Sequence, residues 1–185
     1  MTAAPNPDTP LGSPSSAPII VTALMGADDF AWADALRRQH FPPERNWLKA
    51  HITLFHLLPP SSLEELLQLM RQEAAAPPPA ARLVSVMSLG RGVAYRVEAP
   101  ALLDIRERIA DAFHERLTPQ DQHNPRLHIT VQNKVEPTIA KALHAQLSAQ
   151  FRPRPLSITG LAAWYYRGGP WEAAGHVKFR GQQRT

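Results

Sequence analysis

Two copies of the motif His-Ile-Thr carry the side chains of clearest chemical potential in this sequence. They pair His51 with Thr53 and His128 with Thr130. On a β-strand, residues i and i+2 point to the same face, so each histidine projects together with its threonine. An imidazole exchanges protons near neutral pH, and a threonine hydroxyl donates a hydrogen bond to a phosphate oxygen. Each motif therefore combines a proton carrier with an anion-binding group.

Two such motifs on facing strands would surround one tetrahedral phosphorus with two imidazoles and two hydroxyls. One histidine would remove a proton from the attacking oxygen while the other protonates the departing oxygen, and the threonines would hold the non-bridging oxygens. This chemistry needs neither a metal ion nor another cofactor. The predicted catalytic residues are His51 and His128, and the predicted phosphate ligands are Thr53 and Thr130.

The two motifs belong to a longer internal repeat. Residues 51–70 align with residues 128–147, so that His, Ile and Thr coincide and a proline and an amphipathic helical pattern follow in both copies. A single His-x-Thr arises readily by chance. A duplicated strand, turn and helix instead predicts two related lobes that face each other across a cleft. A structural duplication that has lost activity is the alternative.

The hydrophobic periodicity around the motifs predicts strands and helices in mixed order. Asp28 or Asp29 is expected to cap the first helix. A hairpin around residues 90–92 interrupts the alternation of strands with helices, so we predict an α+β fold and not a doubly wound parallel sheet. Strands are expected at residues 18–25, 47–58, 82–89, 93–98, 126–135, 156–166 and 175–179, and helices at residues 30–39, 63–75, 101–117 and 138–150.

The paired motifs His51-Ile52-Thr53-Leu54 and His128-Ile129-Thr130-Val131, 77 residues apart, resemble the signature of the 2H phosphoesterase superfamily, and in particular its bacterial 2′-5′ RNA ligase-like group. The resemblance extends from Ile19 to Phe179. It implies a bilobal α+β fold, with two antiparallel sheets forming a central cleft and helices on the outside. It also implies that His51 acts mainly as the acid and His128 mainly as the base.

The same resemblance implies activity on 2′,3′-cyclic phosphates or 2′-5′ linkages of RNA or nucleotides, and the site run backwards would join RNA ends. The sequence departs from the family pattern where Phe55-His56-Leu57 replaces the common Phe-Leu-Gly, which leaves the substrate open. We expect a monomeric, metal-independent phosphodiesterase whose partner is an RNA or a nucleotide. The rival hypothesis is a non-catalytic RNA- or nucleotide-binding module that keeps the cleft.

Four further residues are weaker candidates for substrate contacts. Lys134 lies on the predicted strand face of the second motif, where it would reach a phosphate or simply form a solvated strand end. Phe55 shares the face of the first motif and could stack on a base, although a core position is the better-supported interpretation. Tyr165 and Tyr166 belong to an aromatic and cationic run typical of base-stacking platforms, and equally of a hairpin with cross-strand aromatic pairs.

A histidine metal site is a competing interpretation that the sequence disfavours. His51 and His56 are an odd number of residues apart, which places them on opposite faces of a regular strand. His40, His114 and His144 fall in helical stretches without partners, and no His-x-x-x-His helix or carboxylate cluster completes a site. No metal is therefore expected.

Composition and charge limit the class of protein. With 185 residues and 44% apolar side chains, the chain suffices for one domain or two intimately packed lobes, expected at residues 18–185. The absence of cysteine excludes disulfides, thiolate metal sites and a cysteine nucleophile. The net charge of +4 moderately favours an anionic partner, although a solubilising surface explains it equally well.

The N-terminal segment differs in composition from the rest of the chain. Residues 1–17 hold four prolines among small polar residues and are expected to form a disordered leader. This segment lacks the features of a secretory signal, and no apolar run is long enough to cross a bilayer. We therefore expect a cytoplasmic protein without a membrane partner.

Overall fold

The computed structural model describes residues 16–181. Of the expected disordered leader, residues 1–15 lie outside this range, and Ala17 is already buried. The described residues form four α-helices, α1 Ala27–His40, α2 Leu63–Glu73, α3 Pro100–Ala112 and α4 Pro137–Gln150. They also form eight strands, β1 Ile19–Met25, β2 Ile52–Leu58, β3 Ala81–Ser88, β4 Val93–Glu98, β5 His128–Gln132, β6 Arg154–Leu156, β7 Ile158–Tyr165 and β8 Glu172–Lys178.

The strands form two four-stranded antiparallel sheets. The first sheet has the order β2-β1-β7-β8, and the second has the order β5-β4-β3-β6. The predicted α+β fold with two antiparallel sheets is therefore confirmed. Each motif occupies an edge strand, and the two edge strands, β2 and β5, contact each other. Helix α2 packs on the first sheet, α4 packs on the second, and α1 contacts β5.

One continuous cluster of buried apolar side chains runs through both sheets. The residues between and beside the motif histidines and threonines contribute to it, namely Ile52, Leu54, Ile129 and Val131, each without exposed surface. The polar positions of each motif remain partly exposed on the other face. Burial of the apolar positions therefore sets the direction in which both histidines project.

Both motif strands contain a β-bulge at the same place. Thr22 pairs with Thr53 and Val21 pairs with Phe55, so Leu54 is an extra residue on β2. On β5, the partners of Ala94 and Val93 are Thr130 and Gln132, so Val131 is the extra residue. A bulge turns two successive side chains to the same side and reverses the alternation beyond it. The internal repeat of the sequence therefore includes a β-bulge directly after the threonine of each motif.

Several element boundaries differ from the prediction. The strand expected at residues 126–135 is only five residues long, because the bulge and a turn end β5 at Gln132. The strand expected at residues 156–166 is divided into β6 and β7, which lie in different sheets. Asp29 does not cap α1, where Gly26 is the N-cap residue; its carboxylate instead accepts the Ser157 backbone N–H at 2.7 Å.

Candidate active site

His51 lies immediately before β2, where two neighbours fix its ring. Its Nδ1 is 2.6 Å from the backbone carbonyl oxygen of Lys49, and only a protonated Nδ1 can donate to that oxygen. The Trp171 ring packs against the imidazole with a centroid separation of 4.6 Å. In its neutral form, His51 therefore carries its proton on Nδ1 and leaves Nε2 as a free proton acceptor.

His128, the first residue of β5, repeats this arrangement. Its Nδ1 is also 2.6 Å from the carbonyl oxygen two residues earlier, that of Arg126. The same hydrogen bond therefore selects the same tautomer in both copies of the motif. Both histidines leave Nε2 as the nitrogen available for proton transfer.

The pKa of His51 shows that His128 lies close to it, because the charge of His128 contributes to the shift. Burial chiefly, with smaller contributions from the charges of Arg37, His128 and His56, lowers the pKa of His51 to about 4, against the opposing effect of the Lys49 carbonyl. His51 is therefore neutral at pH 7. The edge-to-edge contact of β2 and β5 brings the motifs together from the two sheets.

The threonines lie beside the histidines as the two-residue spacing predicts. Thr53 and Thr130 are both half-buried, in contrast to the fully buried residues on either side of them. Thr130 is held through its backbone carbonyl, which accepts a 3.0 Å hydrogen bond from Arg37. Each hydroxyl is thus on the same face as the imidazole of its motif.

Arg37 on α1 ties the surroundings of both motifs together. Besides the Thr130 carbonyl, its guanidinium binds Asn46 Oδ1 at 2.7 Å and the Leu48 carbonyl at 2.9 Å, in the loop before His51. The side chain is buried, and burial lowers its pKa to about 10, so it remains charged at neutral pH. Arg37 could not be recognised from the sequence, because a helical arginine has no local signal for contacts so distant along the chain.

A cavity of about 560 Å³ opens beside His51 on the first sheet. Its walls are mainly apolar and aromatic, with Lys49 and Lys178 as the charged residues. Trp164 is anchored in it by a 2.9 Å hydrogen bond from Nε1 to the Thr22 hydroxyl. The lining includes Met25, Phe30, Trp47, Trp164 and Trp171.

The aromatic side chains that line the cavity are therefore three tryptophans and Phe30, and not the candidate tyrosines Tyr165 and Tyr166. Tyr165 follows Trp164 on β7 and consequently points to the opposite face, where it packs against the core beneath Arg167. Tyr166 is exposed, and neither tyrosine lines the cavity found among residues 16–181. Strand alternation was the signal that could have separated Trp164 from Tyr165.

The bulges correct two other expectations. Phe55 has no exposed surface, because the bulge turns it into the core together with Leu54, so of its two interpretations the structure favours the core position over stacking on a base. Lys134 does not lie on the strand face of His128. It follows β5 in an exposed turn with a φ of 62°, and its role as a phosphate contact stays a prediction.

The bulge on β2 also reverses the expected orientation of His56. With one extra residue between Thr53 and Phe55, His56 continues the face of His51 and Thr53. Its Nδ1 lies 3.1 Å from a carboxylate oxygen of Asp121. Within residues 16–181 the structure holds no group of three or more His, Asp or Glu side chains placed to bind a metal ion. Nor does any helix in this part of the chain have the length and apolarity to span a membrane.

Comparisons with known proteins agree with this architecture. TT0787 of Thermus thermophilus shares the fold with a TM-score of 0.57 and 16% identity, over 90% of this chain and all of that one. E. coli LigT complexed with 3′-AMP matches with a TM-score of 0.55 and 16% identity, over 90% of this chain and 99% of LigT. LigT complexed with NADP+ gives a TM-score of 0.57, again at 16% identity, over 88% and 98% of the two chains.

No match is found among curated protein sequences. At the family level, however, residues 27–170 match the 2′-5′ RNA ligase superfamily. The match covers the four helices, both histidine motifs, the whole second sheet, and strands β2 and β7 of the first sheet. The match includes every residue described above at the site except Thr22, Met25, Trp171 and Lys178. The chain therefore belongs to the 2′-5′ RNA ligase superfamily, within the 2H phosphoesterases.

Proposed function

We propose that the protein is a metal-independent phosphodiesterase that acts on an RNA or nucleotide phosphodiester through His51 and His128. The observation that carries the proposal is the matched environment of the two imidazoles. Each lies on an edge strand of its own sheet, and each is oriented by a 2.6 Å hydrogen bond from Nδ1 to a carbonyl two residues earlier. A structural histidine would not need the same ring orientation in two lobes, whereas proton transfer by two Nε2 atoms would.

The proposed reaction is an in-line displacement at phosphorus. A water molecule or ribose hydroxyl attacks, and its proton passes to Nε2 of His51 as the new P–O bond forms. The opposite P–O bond breaks, and its oxygen receives the proton that Nε2 of His128 carries when that imidazole enters the reaction protonated on both nitrogens. The hydroxyls of Thr53 and Thr130 donate hydrogen bonds to the non-bridging oxygens, on which negative charge accumulates.

This assignment reverses the acid and base roles that the family resemblance implies. The low pKa of His51, caused chiefly by burial, leaves that imidazole neutral at pH 7. A neutral imidazole whose Nδ1 proton is engaged by the Lys49 carbonyl offers a lone pair on Nε2 and no proton. His51 is therefore the proton acceptor, and the donor role falls to His128.

The cavity beside His51 favours a nucleoside as part of the substrate. Its volume of about 560 Å³ exceeds the needs of a phosphate alone, and its tryptophans offer ring faces on which a base can stack. The structural relative LigT has been solved with 3′-AMP and with NADP+. We infer 2′,3′-cyclic phosphates or 2′-5′ linkages of RNA or nucleotides as the substrate class.

A direct assay tests this proposal. The protein is incubated in EDTA with nucleoside 2′,3′-cyclic phosphates and 2′-5′ dinucleotides, beside His51→Ala, His128→Ala and the control His114→Ala. We expect turnover in the chelator, a fall in rate of about 10² to 10⁴ in each motif variant, and no change in the control. His114 is a suitable control because its imidazole is exposed outside the site. Nucleotide binding without turnover would instead identify a non-catalytic binding module.

A further inference from the structure

A third histidine, His56, shares the cleft face with His51 and Thr53 and is held by a buried carboxylate. Asp121 is only 1% exposed, and its Oδ1 lies 3.1 Å from Nδ1 of His56. About 40% of the His56 side-chain surface remains exposed. With Nδ1 directed at the carboxylate, Nε2 is the nitrogen left for a ligand.

The bulge on β2 explains why this imidazole reaches the cleft. Without the extra residue Leu54, His56 would point into the core and Phe55 would take its place. The structure shows the reverse, since Phe55 has no exposed surface and His56 is half-exposed. The proximity of the two rings is also visible in His51, because the charge of His56 contributes to lowering the pKa of that residue.

Asp121 does not depend on the His56 ring for its own hydrogen bonds. Its carboxylate already accepts the backbone N–H groups of His56 and Leu57, at 2.9 Å each. Although burial raises the pKa of Asp121, hydrogen bonds from His56 and Leu57 hold it below the usual value. The carboxylate is therefore ionised at neutral pH, and its contact with the ring serves to orient His56.

The loop that carries Asp121 is itself fastened to the motif strand by Arg106. This buried guanidinium donates to the backbone carbonyl of Asp121, to the Leu54 carbonyl at 3.3 Å, and to Asn124 Oδ1 at 3.3 Å. It also covers the ring of Phe55, with 4.6 Å between Cζ and the ring centroid. The bulge, the buried Phe55 and the Asp121 loop thus form one support beneath His56.

We propose that His56, oriented by Asp121, binds a second phosphate of the substrate, next to the phosphate that reacts. This inference rests on the proposed function. Neighbouring positions on one strand face are separated by roughly 7 Å, so His56 lies one such step beyond Thr53. That separation is of the order of the spacing between adjacent phosphates in an extended nucleotide chain. A protonated imidazole in this position donates from Nε2 to a phosphate oxygen.

The second phosphate has two chemical sources, the 5′-phosphate of a mononucleotide and the next internucleotide phosphate of an oligonucleotide. We first compare binding of 3′-AMP with that of adenosine 3′,5′-bisphosphate, by calorimetry, to wild type, His56→Gln and the control His114→Gln. Wild type and control are expected to bind the bisphosphate roughly tenfold more tightly than 3′-AMP, as a hydrogen bond to a charged group permits. His56→Gln should bind both ligands with the affinity that wild type shows for 3′-AMP.

The turnover arm compares a 2′-5′ dinucleotide with the corresponding trinucleotide. A preference for the trinucleotide that disappears in His56→Gln and persists in His114→Gln identifies the internucleotide phosphate as the ligand. Asp121→Asn should weaken the same preference, because it keeps the shape of the side chain and removes its full charge.

The binding and turnover experiments together distinguish failure of the second-phosphate site from failure of the proposed function. If neither the oligonucleotides nor nucleoside 2′,3′-cyclic phosphates are turned over, the proposed function fails, and the binding comparison still tests the role of His56. Equal affinity of wild type for 3′-AMP and the bisphosphate, together with no trinucleotide preference, would overturn the second-phosphate site. An equal loss on both substrates in His56→Gln would also overturn it, since His56 would then act at the reacting phosphate or in folding.

Discussion

At the scale of single residues, the two motif histidines share a ring orientation and differ in their surroundings. Trp171 packs on His51, and Arg37 adds a positive charge to the effect of burial. Desolvation and neighbouring cations both oppose protonation of an imidazole. The difference between the histidines is therefore the physical basis for giving His51 the role of base and His128 the role of acid.

The leaving group of the substrate tests this division of roles. A 4-nitrophenyl phosphodiester releases 4-nitrophenolate, which leaves without protonation. Loss of the general acid should therefore slow this reaction less than it slows cleavage of a dinucleotide. The fold-decrease in rate caused by His128→Ala should be at least about tenfold smaller on the activated ester than on the dinucleotide. His51→Ala should lower the rate by the same factor on the activated ester and on the dinucleotide. The opposite pattern, measured as initial rates, would return the acid role to His51.

Trp47 is expected to contribute to binding the base. It is 61% exposed at the cavity beside His51, and its Nε1 donates to the Glu44 carbonyl at 2.9 Å. Since stacking of one base is worth about 1 to 3 kcal/mol, Trp47→Ala should raise KM about tenfold and leave kcat nearly unchanged. Ribose 2′,3′-cyclic phosphate, which has no base, is the control substrate, and an equal effect on it would contradict stacking.

At the scale of elements, the site depends on two bulged edge strands. An edge strand leaves one side unpaired, which allows β2 and β5 to face each other between the sheets. The bulges bury Leu54 with Phe55 and Val131 with Gln132. Each strand therefore anchors itself with two successive side chains just beyond the histidine and threonine of its motif, a function typical of bulges near active sites.

Arg37 connects these elements, and its removal should affect both stability and activity. Arg37→Met leaves the Asn46, Leu48 and Thr130 oxygens without their donor, at a cost of roughly 2 to 4 kcal/mol in the free energy of unfolding. Urea denaturation measures this cost. The exposed Arg71 on α2 provides the matched control, and Arg71→Met should change stability by less than about 0.5 kcal/mol.

The same variant should change the pH dependence of catalysis. Since the charge of Arg37 lowers the pKa of His51, Arg37→Met should raise that pKa and shift the acidic limb of the kcat/KM profile to higher pH. An unchanged limb in a folded variant would show that Arg37 acts on stability alone.

At the scale of the whole molecule, burial of His51 links folding to pH. Its pKa is about 4 in the folded protein, against 6.5 for an ordinary histidine, so the unfolded chain binds a proton that the folded one excludes. The associated stability is present above about pH 6.5 and is lost as the pH falls towards 4. Hydrogen bonds from His56 and Leu57 lower the pKa of Asp121 despite its burial. The stability that its ionised carboxylate contributes is therefore lost only when the pH falls below the usual pKa of a carboxyl group.

Urea unfolding at pH 7 and pH 4.5 measures the His51 contribution. Wild type should lose about 1 to 2 kcal/mol more than His51→Gln between these two values. His114→Gln, which removes an exposed imidazole, should follow wild type. Identical losses in wild type and His51→Gln would show that this imidazole is protonated equally easily in both states.

The sequence by itself determined the α+β architecture, the two related lobes and the same-face pairing of each histidine with its threonine, whereas the two antiparallel sheets were expected only from the family resemblance. These features depend on local periodicity and on a repeated motif, both of which can be read along the chain. It also predicted the approximate positions of the four helices. Their ends were less well determined, because the structure ends α3 at Ala112 where the pattern continues to residue 117.

Only the tertiary structure decided which other residues share the site. The bulges arise from pairing between strands, so alternation alone put Phe55 and Lys134 on the faces of the motif histidines and His56 on the opposite face. Arg37 and Asp121 reach partners far along the chain, and neither has a local pattern that predicts those contacts. The low pKa of His51 likewise depends on burial and on neighbouring charges, which the folded chain creates and which the motif spacing does not encode.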